Sequence, residues 1–239
     1  MTLAKRCMIS QPRYLPALTY LQRIHQCDIF IILDTVQHSR QDFEHRNRIA
    51  DRDGSKWLSL PLDRSIGSRP AITELRLMND DCLPQHREQI LESYRHAEYF
   101  DPSALATLYS PVDTLEFVPV MIEMLNRSFQ IIGNRSSDKH QWIRASELPV
   151  NYEKGPDYLV NLCKCVGASH YISGLNGSCY IQDQFAKAGL EVSYHQASSL
   201  FYRRGKLPSF PWLAWVDPLF HQGSHYLREK LNEPMVLLH

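Results

Sequence analysis

Glycine is scarce in this chain, with 10 residues against 14 prolines over 239 positions. The glycine-rich loops that cradle nucleotide phosphates need fixed Gly-x-Gly-x-x-Gly or Walker-type spacings, and neither occurs. A Gly-x-Ser-x-Gly nucleophile turn is missing too. Net charge is absent: 26 Lys+Arg balance 26 Asp+Glu. That balance argues against a broad basic face for nucleic acid and against docking on an anionic membrane, but leaves room for a compact site holding a few cations. No apolar run approaches the roughly 18 residues of a membrane span. The basic start at Lys5 and Arg6 leads into Ser10-Gln11-Pro12-Arg13 rather than a secretory apolar core. None of the six cysteines (Cys7, Cys27, Cys82, Cys163, Cys165, Cys179) forms a Cys-x-x-Cys pair. Most sit in apolar contexts, as free structural thiols of a cytoplasmic protein would. His221 and His225 stand one helical turn apart with no second pair in view, so no metal site is expected.

What is present reads as alternating strands and helices. Arg6 to Ser10 is a short apolar strand; Tyr14 to Gln26 is a helix, with Pro16 where a helix start tolerates it. Asp28 to Asp34 is a continuous β-branched and aromatic run, suited to a strand covered on both faces. Together these make a βαβ unit. Residues 57–62 and 72–77 are strand-like, and Leu83 to Ala97 is helical. From Leu115 to Ile132 apolar residues repeat at spacings of three and four, with Pro119 suggesting a kink or a late start. That stripe packs on the sheet or serves as a partner face. A second unit follows: helix 155–167, strand 170–174, helix 178–188 and strand 191–195. The expectation is a single α/β domain over 1–239: a mostly parallel, Rossmann-like sheet with helices on both faces and a helical insertion at about 83–133.

Ligands of such sheets bind at the carboxyl ends of the strands. Three segments meet there. In Gln11-Pro12-Arg13-Tyr14-Leu15-Pro16 two prolines stiffen a turn before a helix N-terminus, where an anion is stabilised, with Gln11 and Arg13 to complete its coordination. Asp34 emerges from the buried strand as a candidate general base, or as a turn or cap residue, with Gln37 close behind. Arg46 with Asn47 suits bidentate recognition of a phosphate or carboxylate, and Lys56 offers a further cation. Ser173 opens the third segment, whose Ser178 is a helix cap or part of a second anion site. Near the end, Trp212, Trp215, Asp217 and His221 pack together or form an aromatic lid.

In combination these segments resemble the WbqC-like family. The shared pattern is Gln-Pro-x-Tyr-x-Pro at Gln11–Pro16, then Asp-x-Phe-x-x-x-Asp-x-Val-Gln at Asp28–Gln37. It continues with Arg-Asn-x-Ile at Arg46–Ile49, Trp-Leu-x-x-Pro at Trp57–Pro61, Tyr171-Ile172-Ser173-Gly174 with Tyr180, and the stretch Asp217–Gly223. The sequence departs at Ala17 and Thr19, where Trp and Gly are usual, and at Ala214, where Ser is usual. The resemblance implies a transferase that modifies a sugar or another small metabolite, acyl or aminoacyl transfer included, in surface polysaccharide (O-antigen) or natural-product biosynthesis. Read from their chemistry and their places at the strand ends, the residues expected to act are Asp34, Tyr14 and Gln37 in catalysis, and Gln11, Arg13, Arg46, Asn47, Lys56, Ser173 and Asp217 in ligand binding. The partner expected is a small anionic or phosphorylated substrate, not nucleic acid or membrane, with a homodimer left open and no cofactor named. The alternative is a non-catalytic ligand-binding or scaffold subunit of a biosynthetic complex.

Overall fold

A computed structural model describes residues 5–51, 54–65, 67, 69–79, 81–133, 141–174, 181–196, 202 and 212–238. In chain order the elements are β1 (Arg6–Ser10), α1 (Leu18–Gln26), β2 (Ile29–Ile32), β3 (Arg46–Asp51), β4 (Gly54–Ser59), α2 (Cys82–Tyr94), α3 (Pro102–Leu108), α4 (Phe117–Ile132), β5 (Gln141–Arg144), α5 (Pro156–Cys165), β6 (His170–Gly174), α6 (Gln182–Lys187), β7 (Glu191–His195), α7 (Val216–Asn232) and β8 (Leu237–Leu238).

Six strands form one sheet in the order β5-β2-β1-β6-β7-β8, parallel throughout except for β8 at the edge. Strand residues alternate between two faces. Met8, Phe30 and Ile32 face a core built with α1, α2, α4 and α7, while Cys7, Ile9, Ile29 and Ile31 face a second core with α5 and α6. Both faces are therefore covered, which explains why β1 and β2 read as unbroken apolar runs. From β1 the chain winds outward through β2 to β5, then returns to β6 on the other side of β1 and continues to β7. The order reverses between β1 and β6, and in sheets of this kind connections leaving in opposite directions at such a point open a crevice.

The crossover from β2 to β5 carries the hairpin β3–β4 and helices α2 to α4. The apolar stripe expected at 115–132 is α4, and it is spent internally: Phe117, Met121, Met124, Phe129 and Ile132 are buried. Pro119 lies in its first turn, where no backbone N–H is required, so the helix starts without a kink. Residues 72–77 are not a strand. Ile72–Glu74 is a 3₁₀ turn, because the Glu74 carboxylate reaches back to accept from the Ala71 N–H at 2.7 Å and closes the turn locally. Strands β3 and β5 were not anticipated. Helix α6 begins at Gln182, and the expected cap at Ser178 lies outside the described residues, as does Tyr180. Cys7, Cys27, Cys82 and Cys163 are buried and Cys165 is exposed, each outside any disulfide. Among the described residues, no helix is long and apolar enough to cross a membrane.

Gly223 interrupts α7 with φ +81°, and a Cβ built there would meet the Tyr99 ring at 2.9 Å. Gly223→Ala combines left-handed strain with a steric contact. It should cost about 1–3 kcal/mol in urea denaturation, and an unchanged midpoint would refute the role given to this glycine.

Candidate functional site at the strand-order reversal

The first wall of the crevice is the turn after β1. Its backbone is strained: Leu15 has φ +42°, unusual for a residue with a Cβ. The surroundings over-determine it. Tyr14 N–H donates to the Glu44 carbonyl at 2.8 Å, the Asn47 amide donates to the Leu15 carbonyl, and Trp215 N–H donates to the Pro16 carbonyl at 2.9 Å. Tyr14 is fully buried, its hydroxyl held between His86 Nδ1 at 2.7 Å and the Tyr109 hydroxyl at 2.8 Å. Burial pushes the Tyr14 pKa up, well above the ordinary tyrosine value. Tyr14 and Asn47 thus fasten the turn to α2, α3 and the hairpin.

That fastening leaves the Arg13 guanidinium against the Tyr20 and Phe43 rings, beyond the end of β1. Helix α1 begins at Leu18, later than the sequence suggests, and two residues on it complete the arrangement. The buried Tyr20 donates its hydroxyl to the Gln11 carbonyl at 2.8 Å. Arg13 and Arg23 both lie against the Tyr20 ring, at 5.5 and 5.8 Å from its centroid. Helical side chains lean toward the helix N-terminus, which carries the Arg23 guanidinium up to the end of β6. There it rests over Gly174, with Nη1 3.4 Å from where a Cβ would stand. Burial lowers the Arg23 pKa, and repulsion from Arg13 lowers it further. Among the described residues neither guanidinium has an acidic partner. Two neighbouring cations at a strand end raise the local positive potential. Ser173 is buried beside Gly174 and donates to its carbonyl at 3.0 Å, while His195 at the end of β7 bonds Gln22 of α1 at 2.8 Å.

The other sequence candidates go elsewhere. Asp34 is fully buried two residues beyond β2, beside the end of the paired strand β5. It accepts from Arg144 Nε at 2.7 Å, from the Ser146 N–H at 2.9 Å and from the Ser146 hydroxyl at 2.7 Å. Gln37 is exposed on a bridge to Ala71. Arg46 stacks on Trp57 at 4.4 Å and donates to the Gln41 and Asp42 carbonyls, and Lys56 sits on β4 opposite Ile49. Asp217 is buried at the start of α7, accepting from Tyr94 at 2.8 Å and from Tyr202. Trp215 is buried in the core, so it is no lid, whereas Trp212 is exposed. The structure brings Gln11, Arg13 and Ser173 together with Arg23, Tyr20 and Gly174. It does not add Tyr14, Asp34, Gln37, Arg46, Asn47, Lys56 or Asp217 to that group. Arg23 was missed because it sits among apolar helix positions with no motif around it. Among the described residues, no group of three or more His, Cys, Asp or Glu is arranged to hold a metal ion.

Burial lowers the pKa of His86 and of His195 to about 4, with Arg23 adding to the shift at His195. Unfolded imidazoles take up protons near pH 6.5, whereas these two do not until about pH 4. The unfolded state therefore binds more protons between those values. Stability is fully present above pH 6.5 and falls as the pH drops toward 4, by up to about 1.4 kcal/mol per pH unit for each buried ring. Urea midpoints measured at pH 7.5, 6 and 5 should fall in that order. A flat profile would overturn the assignment of neutral buried rings.

The strand order, the two covered faces and the cation-lined crevice define a doubly wound, Rossmann-like α/β protein. Residues 11–229 match the WbqC-like protein family, and the chain belongs to it. An uncharacterised protein of Mycobacterium tuberculosis is 25% identical over 234 residues, spanning 94% of this chain and 98% of that relative. No solved structure matches significantly.

Proposed function

We propose that this chain is a transferase whose activated, phosphate-bearing donor binds in the crevice between β1 and β6. One observation carries the reading: Arg13 and Arg23 flank Tyr20 beside Gly174, without an acidic partner among the described residues. Two like charges held together raise the energy of the empty crevice, and an anion between them lowers it. Planar guanidinium groups suit the paired oxygens of a phosphate, and the missing side chain at Gly174 lets the Arg23 guanidinium lie close against the end of β6. An acceptor hydroxyl or amine bonds the transferred group and gives its proton to solvent, while the bond from that group to the donor's phosphate oxygen breaks and the oxygen keeps the electron pair. The two arginines stabilise the charge, which is electrostatic catalysis of the leaving group. Gln11 and Ser173 border the same crevice and contact the donor. The group moved is an acyl, aminoacyl or sugar group, in keeping with the surface-polysaccharide and natural-product setting that the family resemblance implies. The test is a thermal-shift panel of ATP, nucleotide sugars and acyl phosphates. At least one should raise the melting temperature, and failure of all three classes would sink the reading.

A further inference from the structure

A second polar centre lies away from the crevice, in the loop between β2 and the hairpin. His38 is anchored by its backbone N–H to the Pro70 carbonyl at 2.9 Å, and its Nδ1 contacts Glu44. Glu44 is buried, and the same carboxylate oxygen accepts from the Ser39 N–H at 3.0 Å. With Nδ1–H donating to that carboxylate, the tautomer is set and Nε2 is left as an acceptor. Nε2 has no hydrogen-bond partner among the described residues. The His45 ring meets the His38 ring edge to face at 4.9 Å, and its Nδ1 is buried without a partner among the described residues. An orphaned buried polar atom is unfavourable, and a hydrogen-bonding ligand would recover that cost.

Both rings line a cavity of about 320 Å³, the small-metabolite end of ligand pockets. Its wall also includes Arg40, Asp63, Arg64 and the apolar Leu60. Arg13 and Arg23 are not among its lining residues. We propose that this cavity binds a small molecule carrying a hydroxyl and one anionic group, a short hydroxy acid or the phosphate ester of a short polyol. The hydroxyl donates to His38 Nε2, a second ligand oxygen engages His45 Nδ1, and the anionic end lies against Arg40 and Arg64. Glu44 is the positioning residue that keeps Nε2 an acceptor. The site is independent of the donor crevice.

The test is histidine-labelled NMR of the full chain titrated with glycerate, with glycerol 3-phosphate and with glycerol. Saturable shifts of the His38 and His45 ring signals are expected with at least one anion and not with glycerol; which anion binds tighter tells a carboxylate ligand from a phosphate one. Replacing Arg40 and Arg64 by alanine should weaken binding about tenfold or more, as removal of charge-assisted hydrogen bonds does. His38→Gln, which leaves the arginines in place, should remove the hydroxyl's share. Arg13→Gln with Arg23→Gln should leave the shifts intact. The proposal is overturned if neither anion shifts the two rings saturably, if glycerol binds as well, or if the Arg13/Arg23 variant abolishes the shifts.

Discussion

Replacing both Arg13 and Arg23 by glutamine should abolish the thermal protection that a phosphate-bearing donor gives the wild-type chain. A ligand present at 100 times its Kd adds about 2.7 kcal/mol of stability, which for a domain of this size raises the melting temperature by roughly 5–10 °C. Removing one charge-assisted hydrogen bond costs about 1.5–3 kcal/mol, so removing two lowers affinity by a factor of at least about 100. The empty protein should respond differently. The variant gives up the cation–ring interactions of both arginines with Tyr20 and of Arg13 with Phe43, worth about 0.5–2 kcal/mol each, but also relieves the repulsion between the guanidinium groups and the cost of burying Arg23. The unliganded melting temperature should therefore change little while protection disappears. Equal losses with and without ligand would make the pair structural. Arg23→Lys adds a finer reading: it keeps the charge but not the planar fork, so protection should be partial.

Asp34→Asn should destabilise the fold by about 3 kcal/mol and leave donor binding in place. The Asp34 carboxylate is fully buried and takes three donors from Arg144 and Ser146, which bind β2 to the segment after β5. Removing one partner of a buried pair costs about 3–5 kcal/mol because the other charge is left uncompensated. The lower end applies here, since the Arg144 side chain keeps 27% of its exposure and can turn to water. At about 2–4 °C per kcal/mol, the melting temperature should drop by roughly 6–12 °C. Adding Arg144→Met should restore part of the loss, because the orphaned charge goes as well. A variant that stays stable and loses donor binding or turnover would return Asp34 to the chemical role its position at a strand end suggests.

The elements legible in the sequence are those whose pattern is local. Unbroken apolar runs mark β1 and β2, and the three-and-four spacing marks α4. Strand β3 was hidden by its charges. Arg46 and Arg48 point outward and stack on Trp57, while Asn47 turns inward to bond the Leu15 carbonyl. Strand β5 is four residues at the edge of the parallel part of the sheet, too short for a pattern to emerge. Residues 72–77 have strand composition, yet the Glu74 side chain offers the backbone a closer partner than any strand.

The candidate site divides along the same line. Scarce glycine and balanced charge exclude the familiar phosphate loops and broad basic surfaces, and the two prolines around Arg13 mark a stiff turn; all of this rests on residues adjacent in the chain. Arg23 and Gly174 are 151 positions apart by their numbers and acquire meaning only because β6 pairs with β1. Asp34, the most suggestive residue of its motif, is drawn into a buried ion pair by the pairing of β5 with β2. Local patterning determines which segments become strands and helices, because hydrogen bonding and burial act between near neighbours. The order of strands in the sheet decides which cations stand together without an acid and which carboxylate is neutralised, since those energies depend on distances that only tertiary packing sets.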